Sequence, residues 1–308
     1  MQEEAIVPIE QVSPEFERIV SKDQDLEWLA SGLGIRGGPA DPGTGPAEGP
    51  LWWKEGGYLL LSDIGHNQRL KWAQEEGLTL FNEGTNYANG LTRDRQGRLI
   101  ACEHGSRRVT RLEPDGSITV VANKYQDRRL NRPNDVVVKS DGSIYFTDPG
   151  APDVGLDLDF SGVYRVSPDL GTITLLVRDF IVPNGLAFSP DESILYVDDS
   201  RRRHIRAFGL QPSGVLALAS DRIFADLSSD RPGSPDGMKI DVEGNVYCTG
   251  PGGVWVIDPN GKHLGTILTG ADQTTNVGWG GEDWKTLFIT TYHELAYIRL
   301  KIPGVPVP

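Results

Sequence analysis

Six places along the chain carry an oxygen-bearing side chain at the head of a nearly repeated motif. They are Glu48 in Glu48-Gly49-Pro50, Asn89 in Asn89-Gly90-Leu91 and Asn134 in Pro133-Asn134-Asp135, followed by Asn184 in Pro183-Asn184-Gly185, Asp236 in Pro235-Asp236-Gly237 and Asn276 in Thr275-Asn276-Val277. Two carboxylates and four amides are hard oxygen donors. Gathered round one point, the carboxylates would repel each other unless a cation lay between them. Calcium accepts about 6–8 oxygens of this kind, amide carbonyls and water included. Zinc prefers His and Cys, so Asn ligands disfavour it as the native ion. Ca²⁺ is the expected ion, with Mg²⁺, Mn²⁺ or Zn²⁺ as substitutes. Asn-Gly and Pro-Asp-Gly are also plain turn signals, and turn chemistry alone would explain any single position. Glu48 argues for the ion, because Glu is a poor turn residue.

The elements that must bring these residues together are strands. Each motif opens an apolar run, then a Gly-bearing turn, then a second apolar run, as in NGLTRD, Gln96-Gly97 and LIACEH. The other turn signals are Gly56-Gly57, Asp141-Gly142, Pro190-Asp191 and Glu243-Gly244. Six near-copies at a period of roughly 40–50 residues predict a radial β repeat. The expected fold is an all-β, six-bladed propeller of four-stranded blades. The sixth repeat has only three strands (NVGWG, TLFITT and ELAYIRLK) before the chain reaches IPGVPVP. An open ring would leave a strand edge unpaired. Leu26–Ala30 alternates apolar and polar residues, so this N-terminal strand is expected to complete the last blade. Residues 1–25 read as an acidic leader, residues 31–47 as a Gly/Pro-rich loop, and residues 26–308 as one propeller domain.

In such a blade the innermost strand starts at one channel mouth and the second strand returns to it. Asp63, Glu103 and His104, Asp148, Asp199, Thr249 and Thr291 end the second strands, so an outer polar ring is expected around the inner one. Trp52, Trp53, Trp255, Trp279 and Trp284 read as blade-packing aromatics rather than a sugar platform. Arg201-Arg202-Arg203-His204 reads as a solvated loop.

Composition narrows the function classes. Thirty Lys and Arg against 43 Asp and Glu leave a net charge of −13, which argues against nucleic-acid binding. No apolar run approaches the ~20 residues that span a bilayer, so no membrane association is expected. The N-terminus has no signal-peptide pattern. A soluble, cytoplasmic protein is expected, with the periplasm open to a chain whose signal peptide was removed. Two cysteines, Cys102 and Cys248, lie in strand-like runs and read as buried free thiols. A monomer or weak homo-oligomer is expected.

These motifs resemble the senescence-marker/gluconolactonase/luciferin-regenerating-enzyme family, and most of all its bacterial gluconolactonase-like members, over roughly residues 26–302. Glu48-Gly49-Pro50 resembles the family's opening metal-ligand motif. Pro183-Asn184-Gly185-Leu186 resembles the segment with the metal-binding Asn. Pro235-Asp236-Gly237-Met238 resembles the segment with the metal-binding and catalytic Asp, and Arg132-Pro133-Asn134 the substrate-contacting Arg-x-Asn. Asn89, the Cys102-Glu103-His104 run and the acidic stretch Ala151–Ser161 depart from the animal members; the last reads as a lid. The resemblance implies hydrolysis of a small sugar lactone, with Glu48, Asn184 and Asp236 holding Ca²⁺. Asp236 would activate water, with Asp199 or Asp148 sharing that role. Arg132, Asn134, Asn89 and His104 would face the substrate. Two other readings stay open at this point. One is a calcium-dependent phosphotriesterase or arylesterase, and the other is a non-enzymatic propeller that binds calcium or a partner.

Overall fold

The computed structural model describes residues 8–36, 44–150 and 157–308. Six sheets form the blades of a ring. Their innermost strands are Ala47–Trp53, Ala88–Arg93, Val136–Val138, Pro183–Phe188, Met238–Ile240 and Thr274–Gly280. Each pairs antiparallel with the next strand in sequence, and the chain meanders outward through the blade. The inner strands form because short, mostly apolar runs lie between tight turns and are buried along nearly their whole length. Gly57, Gly97, Gly142 and Gly244 adopt φ values of +64° to +87° at these turns, a conformation that costs glycine little.

The ring closes as expected. Glu27–Ser31 pairs antiparallel with Glu294–Arg299 as the fourth strand of the last blade. Part of the leader is also structured. Ile9–Gln11 adds a fifth strand to the fifth blade, pairing Ile9 with Ile267 and Gln11 with Gly265. A 3₁₀ turn, Pro14–Arg18, then buries Phe16, whose ring sits where a Cβ on Gly265 would lie. Little sequence periodicity marks this segment because one short edge strand and one anchor residue suffice to hold it.

The core lies between adjacent blades. Leu59, Leu61, Val277 and Leu287 are fully buried in one such layer, Ile205, Ala207, Val246 and Cys248 in another. The tryptophans mostly pack blades, as expected. Trp52 stacks on Phe288 with centroids 5.6 Å apart, and Trp279 meets Tyr247 edge-on at 4.9 Å. Both cysteines are buried free thiols. Among the described residues no helix is long and apolar enough to cross a membrane. Of the stretch Ala151–Ser161, residues 151–156 lie outside the described residues; within the rest, Leu158 is buried in the core beside the third blade.

Candidate active site

The backbone sets the inner ring before any side chain does. In four blades the strand ladder slips at the opening residue, between Glu48 and Leu51, Ala88 and Leu91, Pro183 and Leu186, and Thr274 and Asn276. In the other two, Asn134 and Asp236 lie just ahead of the first paired residue, Val136 or Met238. An interrupted ladder re-aims a side chain, here away from the blade face.

The blades are then laced together at this level. Ser62 Oγ donates to Asn89 O (2.7 Å), Gly90 N to Asn134 O (2.9 Å) and Thr147 Oγ1 to Asn184 O (2.7 Å). Gly185 N donates to Asp236 O (2.7 Å), Gly237 N to Thr275 O (2.8 Å) and Thr275 Oγ1 to Ala47 O (2.7 Å). Every blade junction carries one such bond, so the circuit is complete. The glycines serve this approach rather than a turn. A Cβ on Gly185 would lie 2.2 Å from Asp236 O, and one on Gly237 would lie 2.0 Å from Asn276 Cγ. Neither has a positive φ, which separates close packing from the turn reading of Asn-Gly and Asp-Gly.

Glu48, Asn184 and Asp236 all stand at the opening of innermost strands of this ring, and the Asp236 carboxyl feels both the Glu48 charge and the Asn184 amide. Asn184 Nδ2 donates to Ser200 Oγ (3.2 Å) and Asp236 Oδ2 accepts from Gln273 Nε2 (3.4 Å). Glu48 Oε2 accepts from Gly49 N and Asn276 Nδ2, both at 2.8 Å. Burial, with Asp135 nearby, raises the Glu48 carboxyl to about 7 against the donated bonds. Burial raises Asp236 further above the usual carboxylate range, with Glu48, Asp198 and Asp135 adding to it. Asp236 nevertheless opens to the mouth, as do Asn134, Arg132 and His104, whereas Glu48 and Asn276 are buried. Among the described residues no three His, Cys, Asp or Glu side chains stand close enough to hold one ion. Any cation site here would need an oxygen other than a carboxylate's to complete it, and Asn184 is the amide that opens the neighbouring strand. Repelling buried carboxylates beside an amide fit a hard divalent ion rather than zinc.

The other side of the ring is a polar chain. Asn89 Nδ2 donates to Asn134 Oδ1 at 2.8 Å and lies 3.3 Å from His104 Nε2. Arg132 Nη2 donates to His104 Nδ1 at 3.4 Å. Burial, then the adjacent guanidinium, lowers His104 to about 3, so its ring is neutral at physiological pH. Asn89 Oδ1 is buried without a partner.

The outer-ring carboxylates hold loops. Asp148 accepts from the backbone N–H of Asn131 (2.8 Å) and Arg132 (2.7 Å). Asp199 accepts from those of Ile181, Val182, Arg201 and Arg202. Asp63 accepts from Gly34 N and Gln68 Nε2 (both 3.0 Å), and Glu103 from Arg108, Thr110 and Ser106. Thr249 and Thr291 are buried at the ends of their strands. Arg202 and Arg203 are tied down, to Asp179 O (2.6 Å) and Ser229 O (2.8 Å).

Three polar residues missed by the sequence reading lie beneath the inner ring. Asp135 and Asp198 are buried, and each keeps one oxygen without a hydrogen-bond partner. Lys239 Nζ lies 3.9 Å from Asp135 Oδ2. The signal was present: Asp135 follows Asn134, and Asp198 precedes Asp199. A single register per motif passed over both.

Comparison with known proteins agrees with this architecture. Residues 46–293 match the family model described as the SMP-30/Gluconolactonase/LRE-like region. A gluconolactonase from Zymomonas mobilis is 32% identical, over 96% of this chain and 87% of its own length. A regucalcin from Danio rerio is 31% identical, over 82% of this chain and 83% of its own. The solved structure of a gluconolactonase from Xanthomonas campestris superposes with a TM-score of 0.82 at 32% identity, covering 95% of each chain.

Proposed function

The chain belongs to the SMP-30/gluconolactonase/LRE-like family, and from that premise we propose that it is a metal-dependent lactonase that opens a sugar lactone of the aldonolactone class. The observation that carries this reading is the electrostatic contact of two carboxylates, buried Glu48 and half-buried Asp236, beside the Asn184 amide at one mouth of the channel. Those three residues would hold the ion, and Ca²⁺ is the best match to their oxygens. When bound, such an ion polarises the lactone carbonyl and stabilises negative charge on its oxygen.

The chain's own residues do the rest. Asp236 is the ring carboxylate that opens to the mouth, so its oxygen is the one that can take a proton from an attacking water. Asp148 and Asp199 are poorer bases, because backbone N–H groups already occupy their oxygens. Arg132 and Asn134, both half-exposed, orient the sugar hydroxyls. Asn89 and His104 stand behind them and fix the Asn134 amide. A neutral His104 donates or accepts a hydrogen bond without adding charge.

The test is hydrolysis of glucono-1,5-lactone and pentonolactones by protein stripped with chelator, with and without Ca²⁺ returned. Loss of turnover on stripping and recovery with Ca²⁺ are expected. Full turnover by stripped protein would refute the role given to the ion. A panel of aryl esters and phosphotriesters separates the lactonase from the related hydrolases that such a site could serve.

A further inference from the structure

The opposite mouth of the channel holds a cavity of about 510 Å³ to which all six innermost strands contribute. Its walls include Leu51, Leu91, Val137, Phe188 and Trp279. It reaches Pro50, Val136 and Gly278, each two residues along its strand from an inner-ring position, so its ceiling is the underside of that ring. Val305–Pro308 lines the cavity from the solvent side. This strap is fixed at one end, where Val305 N donates to Ile240 O (3.0 Å) and Gly304 N to Trp284 O (2.8 Å). At the other end Val307 packs on the apolar clusters of the first two blades.

One cation projects from the apolar wall. Lys239 is half-buried and makes a single hydrogen bond, to Met238 O at 3.0 Å. Its ion-pair partner, the buried Asp135 Oδ2, is 3.9 Å away, beyond hydrogen-bond reach. An ammonium has three donors, so Lys239 has donors to spare. Arg95 stands at the rim with no ion-pair partner among the described residues. The rim acids are already engaged. Glu192 accepts from Ser140 N (2.7 Å) and Lys139 Nζ (2.9 Å), and Asp191 from the hydroxyls of Ser189 and Ser193. Apolar walls, a lysine with donors to spare and rim acids that are already engaged select an apolar body that carries one negative charge. The volume lies in the range that encloses a small ligand.

We propose that the far mouth of the channel is a second ligand site, separate from the acid–amide mouth, and that it takes a medium-chain aliphatic monocarboxylate. The carboxylate pairs with Lys239 and the chain lies along Leu91, Val137 and Phe188 beneath the Val305–Pro308 strap. This site stands whether or not the other mouth hydrolyses lactones.

The probes are decanoate and its neutral analogue decanol, titrated into metal-free protein. Trp52, Trp279 and Trp284 line the cavity, so their fluorescence reports binding, and calorimetry gives the stoichiometry. One decanoate per chain is expected, bound at least tenfold more tightly than decanol. Lys239→Met should weaken decanoate at least tenfold, about 1.4 kcal/mol, and leave decanol within about twofold, because only the carboxylate uses the ammonium. Val137→Trp fills the cavity and should abolish both, with lactone turnover unchanged. It carries the test by itself if Lys239→Met does not fold. Decanol binding as tightly as decanoate, unsaturable binding, or undiminished binding by Val137→Trp would each overturn the proposal.

Discussion

Replacing Glu48 with Gln should make the metal-free protein more stable and the enzyme less active. The two hydrogen bonds that Glu48 accepts both end on Oε2, so the single carbonyl oxygen of Gln can keep them. What the substitution removes is the charge. The Glu48 carboxyl is raised from 4.5 to about 7 in the fold, chiefly by burial. A group whose folded pKa is raised favours the fold fully below the unfolded value and loses that contribution as pH rises through the folded one. Above pH 7 a shift from 4.5 to about 7 corresponds to roughly 3 kcal/mol at about 1.4 kcal/mol per unit. In chelator at pH 8, Glu48→Gln should therefore melt higher by roughly 5 °C for a domain of this size. The gain should shrink to about 1 kcal/mol at pH 5 and vanish below pH 4. With Ca²⁺ present the order should reverse, because the parent gains a bound ion that the variant holds weakly. Calorimetric melts at three pH values, with and without Ca²⁺, read all of this. A variant less stable than the parent in chelator at pH 8, or one with undiminished Ca²⁺ affinity, would refute the reasoning.

Four further outcomes are expected. Asp236→Asn keeps an oxygen for the ion but loses the proton acceptor, and kcat should fall about 10²–10⁴-fold; a kcat within about threefold of the parent would remove Asp236 from the proton transfer. His104→Gln should leave the shape of kcat/KM against pH unchanged between pH 5 and 8, since His104 is held to about 3, and an inflection lost with the ring would contradict its neutrality. Asp199→Asn places an amide group against backbone donors such as Ile181 N and Val182 N. It should cost about 1–3 kcal/mol in denaturant titration with kcat within about twofold, whereas a large loss of kcat at full stability would return Asp199 to catalysis. Gly185→Ala forces a Cβ against Asp236 O at 2.2 Å. It should cost about 1–3 kcal/mol and weaken Ca²⁺ binding, and a neutral result on both would sink the close-approach account of these glycines.

The repeat was legible because every blade repeats the same local necessity: a polar opener, an apolar strand, a turn that tolerates left-handed backbone. The closing strand at Glu27–Ser31 was legible from a deficit, three strands where four were needed. The leader strand at Ile9–Gln11 was not, since three residues on a sheet edge carry no periodicity of their own. At the site, residue type and register identified the inner ring but not what each carboxylate touches. Asp148 and Asp236 look alike in sequence. Only the fold shows that two backbone N–H groups occupy the first, while the second faces other buried charges. The far cavity had no motif at all, because its walls are ordinary strand residues that share a surface only once the ring is closed.

The contact between Glu48 and Asn276 spans 228 positions of chain. A ribosome must therefore reach the sixth repeat before this contact exists. A product truncated just ahead of that repeat would carry both acids, Glu48 and Asp236, and still lack the contact. On the proposed function, fragments that stop short of the sixth repeat should neither bind Ca²⁺ nor open a lactone.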